Sequence, residues 1–388
     1  MTSGALSIEE LLAAALRGEA GPRPALLDEA GAAEAIVEAA IYHGVAGLLI
    51  EKTRITGSWP AAIIEPLTDQ ARAQAMWEMR HRQLLAQLLS ALQEQGIRAL
   101  LMKGTAVAYD LYDNPATRAR GDTDLPVAAE DAPAARAVLA GLGYVKGILG
   151  GVTDAFALQQ PWSLAVPDGG HHSIDLHWQV MNAPSLRDLL PFTECAADPK
   201  PLPRLSPEAK TMDRVRLLIH TCLHRAMHRN TPYFIGRQAF YDSGRLIWSY
   251  DIHLLVQALD DAEWSRMCDL AARMGVSRVC LDGLQAASDA LGTALPADAI
   301  GRLQGALGTD RNSLYFVRSR ALARSWQDLR SFPGLRRKLR YAASRILPDP
   351  RFVRNKYPAM ANSSLPTLYA WRLLSLLRGR RGENAGAG

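Results

Sequence analysis

The chain has 388 residues, 48% apolar and 21% charged, the proportions of a globular protein with room for two or three domains rather than a fibrous or disordered chain. No run of about 18 apolar residues occurs, so no transmembrane helix is expected. The four cysteines, Cys195, Cys222, Cys268 and Cys280, form no close pairing motif and read as reduced thiols of a cytoplasmic protein.

The net charge of +5 is unevenly spread. Arg311 to Arg381 holds 17 Lys and Arg against two acids, a net +15, while the rest of the chain carries 27 basic and 37 acidic residues, a net −10. Such a basic end suits either a polyanionic partner (nucleic acid, anionic lipid or a phosphorylated substrate) or a solvated surface of arginine-rich helices.

The N-terminus lacks the basic region of a signal peptide and reads as a helix capped by Ser7. Glu9 and Glu10 occupy its first turn, and Leu11, Leu12 and Leu16 follow. Helical patterning continues to about residue 95, and Gly96 ends the last and longest of these helices. Between 96 and 182 the pattern changes to an α/β unit. "IRALLMKG" (97–104) reads as a strand and "TAVAYDLY" as a short helix. A loop containing Arg118 and Arg120 leads to the strand "DTDLPVA". The helix "DAPAARAVLAGLG" follows, with Asp131 as its cap and Gly143 as its stop. "YVKGI", "AFALQQPWSLAVP" and "HHSIDLHWQV" complete the sheet, the last two joined by "DGG".

From about 206 to 310 the chain is helical again. Segments beginning at 206, 244, 261 and 277 carry the pattern, and Asp260 or Asp261 caps the third. The basic region, 311–381, holds two Pro-broken stretches and the apolar helix "SLPTLYAWRLLSLLRGR", which could lie on an anionic membrane but reads better as packing on its own protein. The tail, 382–388, reads as disordered. The fold class is α+β, a mixed sheet with helices, flanked by N-terminal and C-terminal helical regions.

Strand alternation locates the chemistry. In "HHSIDLHWQV", Ile174, Leu176, Trp178 and Val180 share an apolar face, while Ser173, Asp175, His177 and Gln179 share a polar one. In "DTDLPV", Asp122 and Asp124 share a face, with Leu125 and Val127 on the other. Two strands thus offer three carboxylates to one place. Clustered carboxylates repel unless a cation joins them, and hard oxygen ligands select Mg²⁺ or Mn²⁺. Upstream, Lys103, Gly104 and Thr105 pass from a strand into a helix, where backbone N–H groups and the helix dipole suit phosphate. His220, His224 and His228, at i, i+4 and i+8, share one helix face. No glutamate follows His220, so His220 and His224 read as packed within the helical domain rather than as part of a zinc site.

A phosphate-gripping turn, a D-x-D strand and a third aspartate on a later strand resemble the nucleotidyltransferase superfamily of DNA polymerase β type. The resemblance is closer to one bacterial subfamily of uncharacterised nucleotidyltransferases. It is carried by "MKG" at 102–104, "YDLY" at 109–112, Arg118 and Arg120, "DTDL" at 122–125, "LGY" at 142–144 and "DLHW" at 175–178. The helical "LLIHTCLH" at 217–224 and "WSYDIHLLV" at 248–256 extend it, so it spans about 95–300. Two positions depart from the pattern. Thr123 stands where an aliphatic residue is usual, and Pro126 stands where the strand usually continues with one.

The resemblance implies a polymerase-β-type core that transfers a nucleotide from an NTP by a two-metal mechanism. Asp122, Asp124 and Asp175 would hold Mg²⁺ or Mn²⁺. Asp175 would also accept the acceptor's proton. Lys103, Gly104, Thr105, Arg118, Arg120 and His177 would bind the nucleotide, with Lys103 or either arginine neutralising the triphosphate. The acceptor is left open among a peptide, a sugar phosphate and an RNA end. The two departures also allow a degenerate accessory protein that binds nucleotide or substrate without turnover.

Overall fold

A computed structural model describes residues 7–19, 25–29, 31–56, 59–148, 153–167, 170–235, 238–317, 321–357, 360 and 362–378. Four helices open the chain: α1 (Ile8–Arg17), α2 (Ala32–His43), α3 (Ala46–Thr56) and α4 (Ala61–Glu94). The expected cap of α1 is present as a reciprocal pair. Glu10 N–H donates to Ser7 Oγ (3.2 Å) and Ser7 N–H to Glu10 Oε2 (2.9 Å). Leu11, Leu12 and Leu16 are buried as the pattern requires. The 34-residue α4, about 50 Å long at 1.5 Å per residue, packs against α2, α3, the turn Pro115–Thr117 and the helix Ala132–Gly141.

The middle of the chain gives α5 (Lys103–Leu111), β1 (Asp122–Pro126), α6 (Ala132–Gly141), β2 (Val145–Lys146), β3 (Gln159–Ala165) and β4 (His171–His177). The sheet order is β1-β4-β3-β2. β1 runs parallel to β4, and the other pairs are antiparallel. The fold is therefore α+β with a small mixed sheet. Asp168 and Gly169, in the turn expected between β3 and β4, lie outside the described residues. Asp131 stands at the N-terminus of α6 as expected, but its side chain makes no capping bond.

The segment 97–104 is not a strand, contrary to the sequence reading. It runs beside β1 with isolated bridges only, Ala99 to Val127 and Leu101 to Thr211. The reason is Pro126. Leu100 N–H donates to the Pro126 carbonyl (2.9 Å), and proline has no N–H to return, so the ladder cannot close. Pro126 thus ends regular pairing on this edge while β1 keeps its register with β4.

A short helix α7 (Phe192–Cys195) and the ribbon β5 (Lys200–Pro201) with β6 (Lys210–Thr211) lead to α8 (Arg214–Met227). The helix expected from 206 begins only at Arg214, because Lys210 and Thr211 pair with β5 and Asp213 caps the helix through Val215 N–H and Arg216 N–H. A hairpin, β7 (Tyr233–Ile235) and β8 (Gln238–Phe240), precedes α9 (Leu246–Gln257), α10 (Asp261–Met274), α11 (Ser277–Leu291), α12 (Ala297–Gly305) and α13 (Ser313–Val317). Asp260 and Glu263 form the capping box of α10. One apolar cluster runs from Leu11 to Phe316, uniting the N-terminal helices, the sheet and the helices from α8 to α13. The basic region forms α14 (Ala321–Ser331), α15 (Leu335–Ile346), α16 (Pro350–Lys356) and α17 (Leu365–Arg378); Phe332 and Tyr341 pack on Phe156 of the α/β unit, and Val353, Tyr357 and Leu368 form a small core within the region. The tail 382–388 lies outside the described residues. No single described helix is long and apolar enough to cross a membrane.

The sheet face turned toward α4 holds a buried hydrogen-bonded relay. Thr105 Oγ1 lies 3.3 Å from Thr123 Oγ1, which lies 3.3 Å from His81 Nε2. His81 Nδ1 is 2.9 Å from His172 Nε2, and the Tyr144 hydroxyl is 2.6 Å from His172 Nδ1. Trp77 stacks on His81 at 4.5 Å. This accounts for Thr123. Its hydroxyl joins α5, β1 and α4, a link that an aliphatic residue could not make. Burial pushes His172 down to about 4 and His81 well below its ordinary value, with Arg120 adding to the latter.

The sign of the pH effect follows. An unfolded histidine takes its proton near pH 6.5, before the folded one does, so stability is full above that value and falls as pH drops toward 4. Urea denaturation should show the unfolding free energy declining over this interval. Thr123→Val should cost about 1 kcal/mol, as for a buried hydrogen bond.

Candidate metal and phosphate site

The other face of the sheet carries acids. The parallel register places Asp124 opposite Asp175, Asp122 opposite Ser173 and Pro126 opposite His177. Neighbouring strands lie about 4.8 Å apart, so the Asp124 and Asp175 carboxylates are forced together. Three groups answer that repulsion. Lys103 Nζ meets Asp124 Oδ1 at 2.5 Å, His177 Nε2 approaches the same oxygen at 2.9 Å, and Gln159 Nε2 donates to Asp175 Oδ2 at 3.2 Å. One ligand atom from each of Asp124, Asp175 and His177 lies within 4.8 Å of the others, the one such group of three among the described residues. Asp122 stands two residues back on the same face, outside that group and open to solvent.

The electrostatics divide the acids. Desolvation, then repulsion from Asp124 and Asp175, pushes Asp122 up to about 7, although its edge meets solvent. Asp175 is also raised, by burial and by Asp124. Asp124 goes the other way: against its burial, the Lys103 ammonium and the His177 hydrogen bond hold it well below the usual carboxylate range. Lys103 is correspondingly raised, burial being outweighed by Asp124 and Asp122. A basic pair and a split set of carboxylates are what divalent-cation and proton-transfer chemistry requires.

Lys103 reaches Asp124 from an unusual backbone. It opens α5 at φ +54°, the one positive φ among described non-glycine residues, a conformation that costs roughly 1–2 kcal/mol for an L-residue. Strain of this kind persists where the surroundings over-determine it, commonly at functional sites. The next residue must be glycine for a separate reason. A methyl group on Gly104 would lie 2.9 Å from the Arg118 guanidinium carbon. Thr105 turns its hydroxyl inward to Thr123, so its backbone rather than its side chain faces any phosphate.

The two arginines ahead of β1 are placed differently from Lys103. Arg118 is buried and forks onto Asp251 of α9, with Nη2 at 2.6 Å and Nε at 3.1 Å. The Tyr112 hydroxyl donates to the same carboxylate at 2.7 Å. Arg120 pairs with Glu78 of α4 (2.5 Å), donates to two carbonyls, and sits over the rings of Trp77 and Tyr109. Their charges are committed to the loop's attachment, although Arg118 still lies against Gly104. Sequence reasoning missed Asp251, Glu78 and Gln159. For Asp251 a signal existed, a lone acid inside the apolar "WSYDIHLLV", because a buried charge needs a partner.

The α8 histidines pack as a ladder. His224 Nε2 lies 3.0 Å from His228 Nε2, and His228 stacks on Trp248 at 4.8 Å. Burial pushes His220 down to about 3, with Lys103 next in effect, so this face borders the acid site. His177 Nδ1 and His220 Nδ1 are both buried without a hydrogen-bond partner among the described residues.

Removing one member of the buried Arg118–Asp251 pair strands the other charge, which typically costs about 3–5 kcal/mol. Asp251→Ala should therefore lower the unfolding free energy by that order in a denaturant titration, and Arg118→Lys, which lacks the fork, should lower it by less.

The comparisons agree with this geometry. No curated protein matches the chain. A family model described as uncharacterised nucleotidyltransferase matches residues 29–292, from α2 through α11 and well over half of the chain, and that family fits a polymerase-β-like fold. With its acid pair on β1, its third acid on β4 and the strained lysine turn before them, the chain belongs to the uncharacterised nucleotidyltransferase family.

Proposed function

We propose that the protein transfers a nucleotide from an NTP to an acceptor, in a divalent-cation-dependent reaction centred on Asp124 and Asp175. The observation that carries this reading is the forced pairing of those carboxylates, with His177 within ligand distance of both. The donor set fits a divalent cation. Its carboxylates suit Mg²⁺ or Mn²⁺, and the imidazole tilts the preference toward Mn²⁺. Asp124 and Asp175 would hold the ion, with His177 or Asp122 completing the set. When bound, such an ion supplies charge stabilisation at the phosphoryl oxygens.

The chain's own groups supply the rest. Lys103 rests on Asp124 Oδ1 and is the cation that moves onto the triphosphate. The backbone N–H groups at the start of α5, around Gly104 and Thr105, donate to phosphate oxygens along the helix dipole. Asp175, raised by burial and by Asp124 and oriented by Gln159, is the base for the acceptor's proton. Arg118 and Arg120 support the site chiefly through the loop they anchor. The accessory-protein alternative loses its motivation, because Thr123 belongs to the relay on the opposite face and Pro126 lies beyond the acid pair. The acceptor stays open among a peptide, a sugar phosphate and an RNA end.

NTP with Mn²⁺ should raise the melting temperature, and Asp124→Asn or Asp175→Asn should abolish the gain. An α-labelled NTP incubated with host lysate should leave label on an acceptor. No thermal shift and no label with any NTP would overturn the reading. Lys103→Ala should bind Mn²⁺ alone more tightly than the wild type, because the ion then meets no resident ammonium.

A further inference from the structure

The basic region carries a surface that the acid site does not use. α15 reads "LRRKLRYAASRI" and contains no acid. Tyr341, on one side of it, is buried against Phe332 (4.7 Å between ring centres) and Phe156 (5.5 Å). At 100° per residue, Leu335, Leu339, Ala342 and Ile346 form a stripe turned away from Tyr341. That stripe is open to solvent, with Leu335 72% and Leu339 61% exposed. Arg336 and Arg340 flank it on one side and Lys338 on the other.

α14 repeats the arrangement. Asp328 anchors it, accepting from Ser185 Oγ at 2.7 Å and from the Tyr315 hydroxyl at 3.2 Å. On the side away from Asp328, Leu322 and Trp326, one turn apart, are 85% and 60% exposed. Each helix therefore packs through a single anchored side and presents leucine or tryptophan outward.

We propose that α14 and α15 form a docking surface for an anionic membrane. The leucines and Trp326 enter the boundary between headgroups and acyl chains, and Arg336, Lys338 and Arg340 pair with lipid phosphates. Charge complementarity selects this occupant. A nucleic acid would use the cations but has no use for an aliphatic stripe. A second copy of the chain would bring arginine-flanked stripes together with no acid on α15 to offset them. This inference is independent of the nucleotidyl-transfer reading.

The test uses the full-length protein sedimented with phosphatidylcholine vesicles, with and without phosphatidylglycerol. Binding should require the anionic lipid and weaken with salt. The double variant L335S/L339S should lose at least about tenfold in partitioning, given the transfer free energy of two leucine side chains, with its melting temperature unchanged because both residues are exposed. Trp326→Phe should remove a lipid-induced blue shift in fluorescence. Absence of binding to anionic vesicles would overturn the proposal. So would binding that Arg336→Glu and Arg340→Glu abolish while L335S/L339S leaves it intact, which is the pattern of a general polyanion site. RNA binding tighter than vesicle binding, or self-association lost in L335S/L339S, would also overturn it.

Discussion

The parallel pairing of β1 with β4 sets Asp124 beside Asp175, and much of the molecule's centre is arranged around the repulsion this creates. Lys103 adopts a left-handed backbone to reach Asp124. His177 spends one imidazole nitrogen on the same oxygen, and Gln159 steadies Asp175. None of this is needed to bury apolar surface, which Thr123, Leu125, Ile174 and Leu176 already do from the other face of the same strands. A fold that keeps like charges adjacent and holds a strained lysine to restrain them is carrying a cost that local rules would remove, and such departures mark functional sites.

The sheet is thus two-sided in chemistry. Its site face is charged and partly wet. Its inner face, turned to α4, carries a neutral relay of Thr105, Thr123, His81, His172 and Tyr144, in which low dielectric keeps the imidazoles uncharged. Arg118 and Arg120 bind the loop ahead of β1 to α9 and α4, so the acid pair is held from the N-terminal helices and from the C-terminal helical layer at once. The family match likewise covers α2 through α11 rather than the sheet alone. The sheet is too small to position its own acids without helices on both sides.

The basic region differs in kind. It shares one small cluster with Phe156 of the body, has one small core of its own, and carries a surface that turns apolar side chains outward among cations. The charge division seen in composition corresponds to a division in packing. An acidic body encloses the site, and a basic appendage faces outward.

Residue patterns alone determined the α+β class and which face of each strand its acids share. They did so because strand alternation is a local rule: Asp122 with Asp124, and Asp175 with His177, share faces whatever lies around them. Helix caps at Ser7, Gly96 and Asp260 were legible for the same reason. What only the tertiary structure decided were matters of partner choice. Segment 97–104 has the composition of a strand, but its failure to form one depends on meeting Pro126 across the edge. Arg118 and Arg120 are written like phosphate ligands, but their charges go to Asp251 and Glu78, which are far away in sequence. Thr123 looked like a departure from a motif and proved to be a link in a hydrogen-bonded chain through His81, 42 residues earlier. Local geometry sets where a side chain points, and only the packed molecule sets what it meets.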